Sequence, residues 1–220
     1  MMLTYEQIKQ NEQVNTYIRE ANDILGELGF TEHGFAHVTK VALCAGMILE
    51  KLGYSERDIE LAKIAGYMHD IGNIVNRIEH AQSGALMAFR ILDHLDVDPR
   101  ETALIVSAIG NHDEHTAMPI NHISAALIIA DKSDVRESRV RNIKRDAFDI
   151  HDSVNYSVKK SSLDVLPDEK KIRLSLSVDT EVSSVMDYFE IFLVRMKLCK
   201  AASEKLGMVF ELEINGQRLA

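Results

Sequence analysis

The chain of 220 residues contains no apolar run near the roughly 18–20 residues that span a bilayer, and it has only two cysteines. No transmembrane segment or membrane partner is therefore expected, and the polar N-terminus lacks a signal-peptide pattern. Cys44 and Cys199 lie far apart in apolar helical contexts. This placement predicts reduced core thiols in a cytoplasmic protein rather than a disulfide framework.

Positive charge is also scarce, because the chain has 25 Lys and Arg residues against 34 Asp and Glu residues, which gives a net charge of −9. That balance disfavours a nucleic-acid polymer as partner, whereas a small anion held by metal ions remains compatible with it. The chain has three prolines, no Gly/Ser/Pro-rich linker and no internal repeat. With 46% hydrophobic residues, it is expected to form a tightly joined globule with a substantial core.

Apolar residues recur with a helical period up to about residue 150. Local signals mark the helix ends: Ser55 with Asp58 resembles a capping box, Asp98-Pro99 begins a helix, and Gly72 is expected to supply a turn. The predicted helices cover residues 5–28, 35–52, 55–70, 82–95, 98–111 and 122–132, and a charged helix continues to about 150.

After residue 150 the pattern becomes partly alternating, which is typical of strands. Strands are predicted over residues 154–166, 171–178 and 209–214, with an amphipathic helix over 183–206. The helix carries an apolar stripe that predicts a core or dimer contact, so a homodimer is a further expectation. The stripe consists of Met186, Phe189, Leu193 and Met196.

The expected fold class is therefore mainly α, with a small C-terminal appendage that combines sheet and helix. Residues 1–150 are predicted to form a helical domain. Residues 151–220 are predicted to form a small antiparallel sheet with one helix, packed on the helical domain.

The residues best suited to chemistry are histidines and aspartates at the predicted helix ends, in phase with the apolar stripes. Helix ends can converge on one cavity while the stripes build the core around it. Imidazole nitrogens and carboxylate oxygens suit divalent iron, manganese, zinc or cobalt. A single histidine on such a face is more often a hydrogen-bonded core residue, so the prediction depends on the ordered set. The set is His37, His69, Asp70, His80, His112 and Asp131.

This order resembles that of the HD-domain metal-dependent phosphohydrolases, which are bundles of helices, and the resemblance covers about residues 30–140. The stretch from His33 to His37 is also similar to the first motif of many small bacterial members. Asp131-Lys132 with Arg136 resembles the last motif of the branch that cleaves dinucleoside tetraphosphates. The motifs are His37, His69-Asp70-Ile71-Gly72, His80-x-x-x-Gly84, Ile109-x-x-His112 and Ala130-Asp131-Lys132.

The resemblance implies one or two divalent ions, with iron or manganese favoured over zinc, cobalt and magnesium. It assigns His37, His69, Asp70 and Asp131 to a first ion and His80 and His112 to a second, with Asp70 as the bridging catalytic residue. Two such ions would lower the pKa of a shared water that attacks phosphorus. The expected function is hydrolysis of a small phosphorylated molecule or nucleotide.

Four further residues are candidate substrate contacts: His33, His115, Lys132 and Arg136. Each also has a plainer interpretation. The two histidines can be exposed loop residues, and Lys132, Arg136 and Arg139 can form a solvated face, which is the favoured interpretation for Arg139.

Two branches of the family do not match this sequence. Asn73 stands where members that cleave cyclic dinucleotides have lysine, and no Gly-Tyr-Pro follows. The acidic pair of the (p)ppGpp hydrolases is also missing from the matching position.

Two other functions remain open at this point. A diiron oxygenase could use the same ligands with dioxygen, and it would show oxygen dependence and a mixed-valent iron signal. A non-catalytic regulatory module could use the metal only to stabilise the fold, although a purely structural site does not need an open two-metal arrangement.

Overall fold

The computed structural model describes residues 2–114, 116–141 and 148–219, and these are mainly helical with a small sheet near the C-terminus. The expected fold class is confirmed. The helices are α1 (Tyr5–Lys9), α2 (Glu12–Glu27), α3 (Phe35–Lys51), α4 (Glu56–Met68), α5 (His80–His94), α6 (Pro99–Gly110), α7 (His122–Lys132), α8 (Ile150–Ser157) and α9 (Val185–Lys205). The strands are β1 (Val158–Leu166), β2 (Lys171–Val178), β3 (Val209–Ile214) and β4 (Gln217–Arg218), and short 3-10 turns cover Ile71–Ile74, Glu137–Arg139 and Pro167–Glu169.

Capping side chains set most of the helix starts where the sequence predicts them. The Ser55 hydroxyl accepts from the Asp58 backbone N–H at 3.1 Å, and the Asp98 carboxylate accepts from the Arg100 N–H at 2.9 Å. The first helix differs, because the predicted single helix over 5–28 is two helices. The Asn11 side chain accepts from the Val14 N–H and so caps a new helix inside that range.

The segment between α7 and β1 departs most from the prediction. The charged helix is wrong over residues 133–141, because the chain leaves α7 at Ser133 and forms only a 3-10 turn before residue 141. Residues 142–147 of that prediction lie outside the described residues. The strand predicted over 154–166 begins only at Val158, since Asp149 caps α8 and keeps the preceding residues helical.

The sheet has the order β1-β2-β3-β4 and is mixed. The β1–β2 and β3–β4 pairs are antiparallel, but β2 and β3 are parallel. The expectation of an antiparallel sheet is therefore wrong for that central pair. Helix α9 connects β2 to β3 and returns the chain to the starting edge, which makes the two strands run in one direction.

Two buried apolar clusters hold these elements together. The larger lies among α1 to α7, and Ile172, Leu206 and Met208 of the C-terminal segment join it. The smaller lies between the sheet and helices α8 and α9. Met196 is buried there, whereas Met186 on the same predicted stripe is exposed. The domain boundary at 150/151 and the homodimer stay predictions.

Across the described ranges, no helix combines the length and the apolar character that crossing a membrane requires.

Leu127→Ala is expected to lower the free energy of unfolding by roughly 2–5 kcal/mol. Leu127 is fully buried in α7, which packs against α3, α4, α6 and α9. Urea denaturation measures the loss, and Leu86→Ala on an exposed part of α5 is the matched control, with a change within about 0.5 kcal/mol. Equal midpoints for the two variants would contradict the packing described for α7.

Candidate metal centre

Five helix ends bring the predicted ligands together in the interior. His37 is in the first turn of α3, His69 and Asp70 directly follow α4, and His80 begins α5. His112 follows α6, and Asp131 is the next-to-last residue of α7. All of these side chains are buried except that of Asp131, which is half-buried.

The two carboxylate oxygens of Asp70 face two different pairs of histidines. Oδ2 lies 3.2 Å from His69 Nε2 and 3.6 Å from His37 Nε2. Oδ1 lies 3.4 Å from His80 Nε2 and 3.9 Å from His112 Nε2. Ligand atoms about 2.0–2.2 Å from one tetrahedral ion stand roughly 3.3–3.6 Å apart. The spacing around each oxygen therefore suits an ion, and Asp70 is placed between two such positions.

Asp131 completes the first of these positions. Its Oδ1 lies 3.4 Å from His37 Nε2 and 3.8 Å from His69 Nε2. Its other oxygen receives the ammonium of Lys132 at 2.7 Å. Lys132 therefore holds this carboxylate with one oxygen turned toward the histidines.

Each of the four histidines has its Nδ1 held by an oxygen that only accepts hydrogen bonds. Such an oxygen places the proton on Nδ1, so Nε2 presents a lone pair to the interior of the cluster. The pairs are His37 with Asp134 Oδ2 at 2.8 Å, His69 with Gly66 O at 2.8 Å, His80 with Arg77 O at 3.0 Å and His112 with Ile109 O at 2.6 Å.

Three of the atoms that face inward have no hydrogen-bond partner in the described part of the chain. His37 Nε2, His69 Nε2 and Asp70 Oδ2 are buried without a hydrogen bond among the described residues. His80 Nε2 and His112 Nε2 stand 3.2 Å apart with no proton left to share. Unpaired buried polar atoms cost about 1–3 kcal/mol each. Because a cation would satisfy all of them, the donor set fits one or two divalent metal ions.

The charge states of His80, His112 and Asp70 agree with that fit. His69 differs, because burial would lower its pKa but the neighbouring carboxylates of Asp70 and Asp131 raise it above the usual value. Burial lowers the pKa of His80, and it lowers the pKa of His112 well below its usual value, so both favour the neutral form. Burial alone would raise the pKa of Asp70, but His69 beside it holds that pKa well below the usual range. Metal binding needs neutral imidazole and ionised carboxylate.

Asp134 is a functional residue that the sequence pattern did not predict; it is fully buried and supports His37. Its other oxygen receives Lys40 Nζ at 2.7 Å and Arg136 Nε at 2.9 Å. Arg136 was predicted as a substrate contact, but its guanidinium is occupied by Asp134 and by Glu32 at 3.5 Å. The position of Asp134 three residues after Asp131 was the only signal of its role.

Arg139 does not belong to a solvated face, so that interpretation is wrong. It is buried and donates to the backbone oxygens of Glu32 and Asp134, both at 2.9 Å. Because α7 ends at Lys132, the helical spacing that suggested an exposed face does not extend to residue 139.

Asp134→Asn is expected to weaken binding of Mn²⁺ by about 10- to 100-fold, because the carboxylate orients His37 and makes its Nε2 more basic. Isothermal titration calorimetry on the folded variant measures this. Asp93→Asn, at an exposed position of α5, is the control that should keep wild-type affinity. Unchanged affinity in Asp134→Asn would show that Asp134 only stabilises the fold.

A cavity of about 720 Å³ adjoins the cluster. The His33 ring lies 5.4 Å from the His37 ring, and Asp113 Oδ1 lies 4.0 Å from His80 Nδ1. Both residues line the cavity, so it reaches both sides of the cluster. Its walls include Phe30, which precedes α3, Asn155 of α8 and Arg195 of α9.

The predicted substrate contacts that the structure describes lie in different surroundings. His33 lines the cavity, and burial lowers its pKa well below the usual value. Lys132 is buried, bound to Asp131 and 3.8 Å from Glu114, and it is not part of the cavity wall. His115 lies outside the described residues. Of the three that the structure describes, only His33 lies in the cavity wall.

Comparison with known proteins gives one family match. The HD-domain family model matches residues 34–147, just over half of the chain, and this segment contains all the cluster residues. An uncharacterised protein of Methanocaldococcus jannaschii is 26% identical over 202 residues, which cover 81% of this chain and 77% of that protein.

Two further matches are more partial. Ribonuclease Y 1 of Pediococcus pentosaceus is 31% identical over 117 residues, and the match covers 50% of this chain but only 20% of the ribonuclease. A crystal structure of a predicted HD superfamily hydrolase from an uncultured Thermotogales bacterium gives a TM-score of 0.46 at 23% identity. It covers 60% of this chain and 73% of that one.

Proposed function

Because the chain belongs to the HD-domain family, we propose that it is a metal-dependent phosphohydrolase that cleaves a small phosphoester or nucleotide. The observation that supports this proposal is the set of buried, inward-facing Nε2 and carboxylate oxygen atoms, three of which have no hydrogen-bond partner among the residues that the structure describes. Three combinations of these residues can each gather their ligand atoms around one ion.

The residues divide into two proposed ligand groups that share Asp70. His37, His69 and Asp131 would hold one ion with Asp70 Oδ2, and His80 and His112 would hold a second with Asp70 Oδ1. Bound divalent ions would lower the pKa of a coordinated water and offset the charge of a phosphate. Asp134 and Lys132 keep His37 and Asp131 in position for this role.

His33 is proposed to position the attacking water. Its Nδ1 lies 2.7 Å from the Thr31 carbonyl, which fixes the proton there and leaves Nε2 as an acceptor. Its lowered pKa keeps the ring neutral. An acceptor beside the cluster is suited to hold a proton of water and is poorly suited to face a phosphate oxygen.

The cavity supports a small substrate. Its volume of about 720 Å³ lies within the range of about 300–1,000 Å³ that is common for small-molecule sites. The net charge of −9 disfavours RNA, the substrate that the ribonuclease Y likeness suggests as an alternative. Both cysteines are free thiols, which supports the proposed cytoplasmic location.

An anaerobic metal analysis followed by a substrate panel tests the proposal. The panel contains a phosphomonoester, a phosphodiester, mononucleotides and a short RNA, each with Mn²⁺ or Fe²⁺. Hydrolysis of a small phosphoester that requires the metal and not oxygen is the expected result. Oxygen consumption without anaerobic hydrolysis would favour the diiron oxygenase, which the same nitrogen and oxygen ligands suit. A folded, metal-loaded protein inactive in every assay would favour the regulatory module.

A further inference from the structure

Arg77 differs from the other arginines that line the cavity. Arg139 is buried and donates to backbone oxygens, and Arg195 is paired with Glu114. Arg77 has no carboxylate within ion-pair distance in the described part of the chain, and its NH1 donates to the Asn73 amide oxygen at 3.2 Å. The cavity therefore contains a half-buried guanidinium whose charge the described residues leave unneutralised.

The position of Arg77 links it to the centre of the cluster. Asn73, which receives its hydrogen bond, donates in turn to Asp70 Oδ1 at 3.0 Å. The Arg77 carbonyl accepts from His80 Nδ1. The guanidinium carbon lies 5.5 Å from the centre of the Phe30 ring, and such a contact restricts the orientation of the planar group. The cation is thus held next to the proposed ligands and at the cavity wall.

We propose that Arg77 is a substrate-binding residue that binds the phosphate group and makes the site selective for phosphomonoesters. This inference rests on the proposed function. A planar guanidinium binds best through two parallel hydrogen bonds to two oxygens on one phosphorus. A monoester has three terminal oxygens and could still present one to a metal ion held by the cluster. A diester has only two terminal oxygens, so the same pair of hydrogen bonds leaves none for the metal ion.

The remaining charges of the cavity agree with a single phosphate. Glu79, Asp113 and Asp149 also line it. These carboxylates disfavour a second negative group elsewhere in the cavity, while they can accept hydrogen bonds from substrate hydroxyls. The substrate class is therefore a monoester of a small, hydroxyl-bearing molecule with one phosphate.

The test uses the full-length protein loaded with Mn²⁺ and inorganic phosphate as the probe. Calorimetry is expected to show phosphate binding weakened about tenfold or more in Arg77→Gln and less in Arg77→Lys, with Mn²⁺ affinity unchanged. The ratio of kcat/KM for a phosphomonoester to that for a phosphodiester should fall in parallel. Arg90→Gln, an exposed arginine of α5, is the matched control and should behave like the wild type.

The outcomes separate this inference from the proposed function. Unchanged phosphate affinity in Arg77→Gln, or no phosphate binding by the wild type, overturns the role of Arg77 while any hydrolysis by the wild type stands. Loss of Mn²⁺ affinity would also overturn it, because Arg77 would then act by supporting Asn73 and Asp70. A wild type that binds phosphate through Arg77 yet cleaves no phosphoester defeats the proposed function alone.

Discussion

Asp70→Ala is expected to reduce Mn²⁺ affinity by about 100-fold or more and to bring phosphoester turnover down to the background rate. The two oxygens of Asp70 lie within 4 Å of the Nε2 atoms of His37, His69, His80 and His112. Losing this carboxylate removes the negative charge between the two proposed ions and the group that sets their separation. Calorimetry with Mn²⁺ and an anaerobic phosphoester assay measure the two effects.

The fold should survive this substitution, which makes the result interpretable. Asn73, the partner of the Asp70 side chain, also donates to the Asp70 backbone oxygen at 2.9 Å and keeps that bond in the variant. Circular dichroism and thermal melts of the metal-free protein check this, with the exposed Asp93→Ala as control. Full turnover by a folded Asp70→Ala protein would rule out hydrolysis at this cluster.

Local signals in the sequence predicted many element boundaries. The bounds of α7, β2 and β3 agree with the prediction. The sequence also predicted that the candidate ligands converge, because each stands at a helix end in phase with a buried apolar stripe. Their roles as metal ligands stay predictions.

Contacts between residues that are far apart in the chain were not predicted from the sequence. Asp134 supports His37, which lies 97 residues earlier, and this pairing depends on α7 ending at Ser133. The role inferred for Arg77 depends on which other cations of the cavity are already paired. The parallel direction of β3 depends on the path of α9, and alternation of apolar residues carries no information about strand direction.

Gly72 lies in a turn, as the sequence predicts, because it belongs to the 3-10 turn Ile71–Ile74. A left-handed backbone is not what requires glycine there, since its φ is not positive, unlike those of Gly29, Gly53, Gly207 and Gly216. A Cβ at Gly72 would stand 2.0 Å from the His80 carbonyl oxygen and 2.3 Å from the Gly84 nitrogen. Glycine is required because the 3-10 turn after Asp70 approaches the first turn of α5 with backbone against backbone.

Gly72→Ala is therefore expected to reduce the free energy of unfolding by about 3 kcal/mol or more, at or above the upper end of ordinary overpacking. The atoms it meets are backbone and cannot rotate away, so the turn and α5 must separate. That movement would draw His80 away from Asp70, and Mn²⁺ binding by the folded fraction should weaken as well. Urea denaturation and calorimetry measure the two losses.

Gly110→Ala provides the matched control for this last variant. The same added methyl would meet only Ala85 Cβ at 3.5 Å, an ordinary contact, at the end of α6. Since alanine favours helix over glycine by up to about 1 kcal/mol, this control should be neutral or slightly stabilising. If Gly72→Ala matched its stability and its Mn²⁺ affinity, then α5 could shift without cost, and the close approach would not be what holds His80 against Asp70.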